Sequence, residues 1–275
     1  MSYASMLMHV EVHPEARPRL HLAADLANQF DAALIGVGAE IMEPPSAAAA
    51  MGYVDGETLV VEAQVVQDDL KLAEAAFVEV AKTVRAGSEW RCGVGLPSEL
   101  VASQARACDL IIASPRHGEP WGVHNCADAG ELLMDCGRPV LVTPPGLGKL
   151  DAANVVVAWK DTRESRRALA DAMPFLKRAS RVLVAQVCEE RAESDARAAV
   201  ADVAEYLARH GIKASTAVRE PGHGWPGKAL LEIAEMQDAG LIVAGGYGHS
   251  RLREWVFGGV TQALLTAPRA VLLSH

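Results

Sequence analysis

Short apolar runs alternate with longer stretches of helical spacing along the whole chain. In the second half, Val155–Trp159, Arg181–Val187, Ile212–Val218, Leu241–Ala244 and Ala270–Leu273 read as strands. Between them, Ser165–Lys177, Ala192–His210, Gly227–Gln237 and Trp255–Leu265 carry helical periodicity, and Gly211 is placed as a C-terminal helix stop. The first half follows the same order. Strands are expected at Met6–Val10, Ala33–Val37, Trp90–Val94 (weakly), Leu110–Ala113 and Val140–Val142, with helices near Arg17–Gln29 and Glu62–Ala86 and one more before Leu110. Strand and helix in alternation predict right-handed crossovers and a parallel, doubly wound sheet in each half.

The two halves are copies of one another. Ala107–Ser114 matches Asp238–Gly245 at a shift of 131, and the same shift aligns Arg138–Val142 with Arg269–Leu273 and Glu99–Ala107 with Leu230–Asp238. Earlier in each half the shift is 149, aligning Ala33–Val37 with Val182–Gln186. The first half therefore holds about 18 additional residues, which include the Pro-, Ala- and Gly-rich stretch Met42–Glu57, read as a loop. A linker, Thr143–Lys149, joins the copies, so the expected domains are 1–148 and 149–275.

Composition narrows the function classes. Aromatics make up 5% of the 275 residues, and the formal net charge is −9, with no basic surplus to neutralise nucleic-acid or membrane phosphates. The five cysteines are scattered without a CxxC, against a disulfide framework or structural zinc. His117, His124, Cys126 and Cys136 match no common metal spacing. No signal segment or apolar run of membrane length is visible, so a cytoplasmic protein is expected.

Candidate chemistry lies after the fourth strand of the second half, Gly245-Gly-Tyr-Gly-His-Ser-Arg-Leu-Arg-Glu-Trp-Val-Phe-Gly-Gly-Val-Thr261. Ligands of open α/β sheets bind beyond the carboxyl ends of the strands. There, glycines let a backbone approach an anion closely, and His249, Ser250, Arg251 and Thr261 add donors. No Gly-x-Ser-x-Gly elbow, Walker sequence or acid–base pair stands out. His223 falls in the loop after the third strand, near the expected mouth.

The spacing of Gly245, Gly248 and Gly258 resembles the Gly-x2-Gly-x9-Gly-Ser/Thr pattern of nucleotide-binding members of the universal stress protein family. The resemblance extends over both halves in strand order and length. It implies two tandem Rossmann-like domains of the adenine-nucleotide α-hydrolase type. It also implies ATP, with or without Mg²⁺, over Gly245–Gly248 and over Gly258, Gly259, Val260 and Thr261. An adenine pocket is implied near Ala158, Lys160 and Val187, and edge-to-edge pairing of Val140–Val142 with Ala270–Leu273 is implied, as an internal pseudo-dimer or between two chains. The implied role is a stress-response nucleotide-binding protein without catalysis beyond slow ATP hydrolysis.

Two positions depart from the pattern. Gly259 stands at the Ser/Thr position, and Lys160 stands where such members carry the nucleoside-recognising Asp. Lys cannot accept a hydrogen bond from ribose or adenine. Either Asp161 takes that role or the ligand differs, and a second reading follows in which the glycines only shape the fold of an interaction protein. In the first half Ser114, His117, Ala127 and Asp128 replace the four glycines, while Glu11 falls opposite Lys160. Nucleotide is expected in the second half only.

Overall fold

The computed structural model describes residues 2–13, 16–42, 56–115, 126–222, 224–247 and 259–275. The chain packs as two compact units. One comprises Ala4–Leu132 with Pro145–Lys149. The other comprises the chain up to Tyr3, Leu133–Pro144 and Leu150–His275.

In the N-terminal unit, β1 (Ser5–His9), β2 (Ala33–Glu40), β3 (Ser88–Val94) and β4 (Leu110–Ala113) form a parallel sheet in the order β3-β2-β1-β4. Strands β1, β2 and β4 are buried almost throughout, as their continuous apolar runs require of parallel strands covered on both faces. The edge strand β3 is largely exposed, which is why its sequence signal is weak. The helices are α1 (Ala16–Phe30), α2 (Gly56–Ala81) and α3 (Pro97–Gln104), and α4 (Ala129–Asp135) begins in this unit and from Leu133 onward belongs to the other. Helix α2 starts six residues before the expected Glu62 and stops five before Ala86. Its last turn hands over to β3 through Gly87 at φ +98°, a conformation that favours glycine. Phe77 anchors α2 to the sheet: it is 1% exposed and stacks on Trp90 with ring centroids 5.5 Å apart. Gly36 leaves it room, since a Cβ there would lie 2.6 Å from the Phe77 ring.

In the C-terminal unit, β5 (Val140–Val142), β6 (Asn154–Ala158), β7 (Arg181–Val187), β8 (Ala214–Arg219), β9 (Leu241–Gly245) and β10 (Ala270–Ser274) take the order β5-β10-β9-β6-β7-β8. All are parallel except β5, which runs antiparallel to β10 with Leu141 opposite Leu272. The expected pairing of Val140–Val142 with Ala270–Leu273 is thus present, and it covers the outer edge of β10. The helices are α5 (Arg163–Asp171), α6 (Met173–Leu176), α7 (Glu193–Arg209), α8 (Pro226–Met236) and α9 (Gly259–Leu265). The single helix expected over 165–177 is two, because Pro174 has no N–H to continue the ladder. Gly211 does end α7: at φ +80° it lets Ile212 N–H reach back to the Leu207 carbonyl at 3.0 Å. No described helix is long and apolar enough to cross a membrane.

Truncating Phe77→Ala removes the only aromatic anchor of α2 on β2, at a cost of about 3–5 kcal/mol. Urea unfolding should show the midpoint falling accordingly. A loss below about 1 kcal/mol would mean that α2 is held elsewhere.

Candidate functional site

The C-terminal unit reverses strand order at β6, which pairs with β7 on one side and β9 on the other. Beyond the carboxyl ends of such a pair, the chain departs in two directions and leaves a crevice. From β6 it runs through Trp159–Thr162 into α5. The Thr162 Oγ1 caps that helix, accepting a hydrogen bond from Ser165 N–H at 3.3 Å. Glu164 follows in the first turn. Burial pushes its carboxyl up, but hydrogen bonds from Arg163, its own backbone N–H and Thr162, with the Arg163 charge, together outweigh this and hold it below the usual range.

From β9 the chain leaves through Gly245, Gly246 and Tyr247. A Cβ on Gly245 would lie 2.5 Å from Ser165 N and 2.6 Å from the Glu164 carbonyl carbon. Residue 245 is therefore glycine because the first turn of α5 rests on its backbone. Gly246 points to the opposite face, as successive residues of a strand do. A Cβ there would meet Leu133 at 2.5 Å and Thr261 at 3.8 Å, and its N–H donates to Ser274 O at 2.9 Å. Tyr247 takes φ +53°, and its N–H donates to Thr261 Oγ1 at 3.3 Å. This bond clasps the two ends of the glycine-rich segment together. The Thr261 hydroxyl accepts here and keeps its own O–H to donate.

The other sequence-predicted residues divide in two. Gly248, His249, Arg251 and Gly258 lie outside the described residues, as do His117, His124, His223, Trp255 and Phe257. Of the rest, Gly259 and Val260 are exposed at the start of α9, and a Cβ on Gly259 would meet only the Trp225 ring, at 3.8 Å. Lys160 is exposed just past β6, with Ala158 and Val187 half-buried at the ends of β6 and β7. Asp161 is exposed and held in an ion pair by Arg166, worth at most about 1 kcal/mol at such a surface position. The donor set thus suits an anion better than a nucleoside edge: an ammonium and open backbone stand at the mouth, and the nearest carboxylate already has a partner.

The corresponding end of the N-terminal unit is filled from within. Glu11 accepts hydrogen bonds from Arg19 Nη1 and Ser114 Oγ, both at 3.0 Å, and lies 3.8 Å from His9 Nδ1. Arg19 and His9 are each 4% exposed. Burial alone would raise the Glu11 carboxyl, but His9, Arg19 and Ser114 together hold it at about 2. Burial, and then the Glu11 carboxylate, push the Cys126 thiol up to about 12. Asp128 is turned to its own helix, its Oδ1 accepting from the N–H groups of Gly130 and Glu131 at 2.8 and 3.0 Å. Among the described residues no three His, Cys, Asp or Glu side chains gather as metal ligands do.

Sequence reasoning singled out Glu11 but missed Arg19 and His9, which reach it from another element and from two positions up the same strand, in no motif. It also missed Trp225, whose only signal is a large aromatic directly before Pro226 at a helix start.

Two outcomes follow. Gly245→Ala should cost about 2 kcal/mol in chemical denaturation, because helix backbone cannot yield as a side chain does; an unchanged midpoint would show that α5 does not press on β9. Glu11→Gln removes the charge opposite buried Arg19 and should cost about 3–5 kcal/mol at neutral pH. A depressed carboxyl stabilises above its unfolded value near 4.5 and ceases to as pH falls toward 2. The gap between wild type and variant should therefore close between those pH values, and a gap independent of pH would assign the loss to packing instead.

The second half, residues 152–275, matches the model of the universal stress protein family. Over the whole chain the fold is that of a universal stress protein from Archaeoglobus fulgidus, at 18% identity and TM-score 0.73, covering 98% of this chain and 97% of that one. A functionally unknown protein from Pseudomonas aeruginosa shares the fold at 18% identity and TM-score 0.59, covering 99% of this chain and 92% of that one. No functionally curated protein matches significantly. The glycine-rich segment lies inside the matched region, so the second half of the chain belongs to the universal stress protein family, and the chain shares the fold of these proteins along its length.

Proposed function

We propose that the C-terminal unit binds an adenine nucleotide, ATP with Mg²⁺, as a non-catalytic stress-response ligand, and that the N-terminal unit binds none. The observation that carries the reading is the clasp between Tyr247 and Thr261. It joins the two described ends of a segment with family glycine spacing just past β9, the strand that pairs with β6, and Lys160 is exposed just past β6. The Lys160 ammonium is a point charge suited to a phosphate oxygen. The open backbone at Gly259 and Val260 offers further room for phosphate, and Ala158 and Val187 offer an apolar floor for a base. Asp161 is paired with Arg166 through Oδ1, and its Oδ2 can accept from a ribose hydroxyl. In the N-terminal unit the matching carboxylate, Glu11, is already engaged through its Oε1 by Arg19 and Ser114.

One observation favours the second reading, an interaction protein whose glycines are architectural. Gly245 and Gly246 face the α5 backbone and Leu133 closely enough to explain both glycines without any ligand.

Titration calorimetry and thermal unfolding with ATP and Mg²⁺ separate the two readings. Nucleotide at a hundred times its Kd should stabilise the wild type by about 2.7 kcal/mol. Lys160→Glu, at an exposed site, should fold normally and bind about tenfold more weakly, a change of about 1.4 kcal/mol. No heat and no midpoint shift for the wild type would remove the nucleotide and leave the architectural reading.

A further inference from the structure

The C-terminal unit exposes a large aromatic at the start of α8. Trp225 is 44% exposed, directly before Pro226 at the start of α8, and its carbonyl accepts the N–H groups of Lys228 and Ala229. Its ring has a shaped seat. A Cβ on Gly227 would lie 2.0 Å from Cζ3, and one on Gly259 would lie 3.8 Å from Cε3 and Cζ3. The benzo edge of the indole therefore rests between the first turns of α8 and α9, and it fits only because residue 227 has no side chain.

The seat faces the crevice. Helices that follow parallel strands begin at the strands' carboxyl ends, the end where Lys160 and Tyr247 lie. Ala158 is in register with Ala244, two residues before Gly246, and so shares the face on which Gly246 meets Thr261 of α9. Trp225 stands on that face, which α8 and α9 cover together.

The surroundings distinguish a small planar ligand from a protein. A stable protein interface takes about 800 Å² from each partner, whereas a tryptophan offers at most about 250 Å². Along α8, Lys228 and Glu232 are charged, and Glu232 is tied to both Lys228 and Arg219. Among the described residues, the apolar ground next to the ring is Gly259 and Val260.

We propose that Trp225 is the stacking platform of a base subsite, on whose exposed face the planar ring of the nucleotide lies. This rests on the nucleotide reading above and assigns it a residue. Stacking needs no hydrogen-bonding edge, so it supplies base affinity in a site where Lys160 cannot accept a hydrogen bond from adenine.

The test compares ATP with inorganic tripolyphosphate, which lacks a base, by titration calorimetry on the intact chain. Trp225→Ala should weaken ATP about tenfold and leave tripolyphosphate unchanged, while Trp225→Phe retains most of the ATP affinity. Gly227→Ala, which drives the ring off its seat without removing it, should behave like Trp225→Ala and keeps the test open if that variant folds poorly. ATP binding unchanged in Trp225→Ala would overturn the platform and leave the nucleotide site standing. Equal weakening of ATP and tripolyphosphate would overturn it too, making Trp225 a support of the phosphate segment. A wild type that binds neither compound would overturn both the platform and the nucleotide reading.

Discussion

The arrangement of the C-terminal unit depends on how closely the first turn of α5 approaches the end of β9. The helix backbone rests on Gly245, where not even a methyl group fits. That approach fixes the angle at which the chain leaves β6, and so fixes the position of Lys160 and Asp161. It also forces β9 to continue with its next residue turned to the other face, where Gly246 meets Leu133 and the Tyr247 N–H reaches Thr261. One steric constraint at a strand end thus sets both walls of the crevice.

The same end of the N-terminal unit shows what happens when that constraint is relaxed. Ser114 replaces the glycine, and its hydroxyl turns to Glu11 rather than making room for a helix. Glu11, Arg19 and His9 then form a closed cluster in which every formal charge has a partner within the protein. A buried ion pair of this kind does little for net stability, because desolvation offsets its attraction. Breaking it is costly, so the cluster fixes one packing of β1 and α1. One copy of the repeat has its polar groups turned inward at the strand ends. The other leaves a lysine, open backbone and an aromatic at its mouth.

Two kinds of glycine therefore coexist in the segment that looks like a single motif. Gly245 and Gly246 are explained by what packs on them, while Gly259 is exposed and meets only an aromatic ring. Spacing alone cannot separate these roles, since both need a residue without a side chain.

The sequence by itself determined the repeat, the parallel α/β class, the order of elements along each half and most element positions. Each of these rests on local patterns: apolar runs buried on both faces, helical spacing between them, and a glycine stop such as Gly211. It failed where a local pattern was overruled by a single backbone feature, as at Pro174, or where burial on one face was slight, as at the start of α2. The site was legible as a segment but not as a geometry. Only the tertiary structure decided that Thr261 accepts a hydrogen bond from Tyr247, that Asp161 is paired with Arg166, that Arg19 neutralises Glu11, and that Trp225 sits on Gly227 and Gly259. All of these contacts are set by how helices and strand ends pack, a distance in space that residue spacing does not encode.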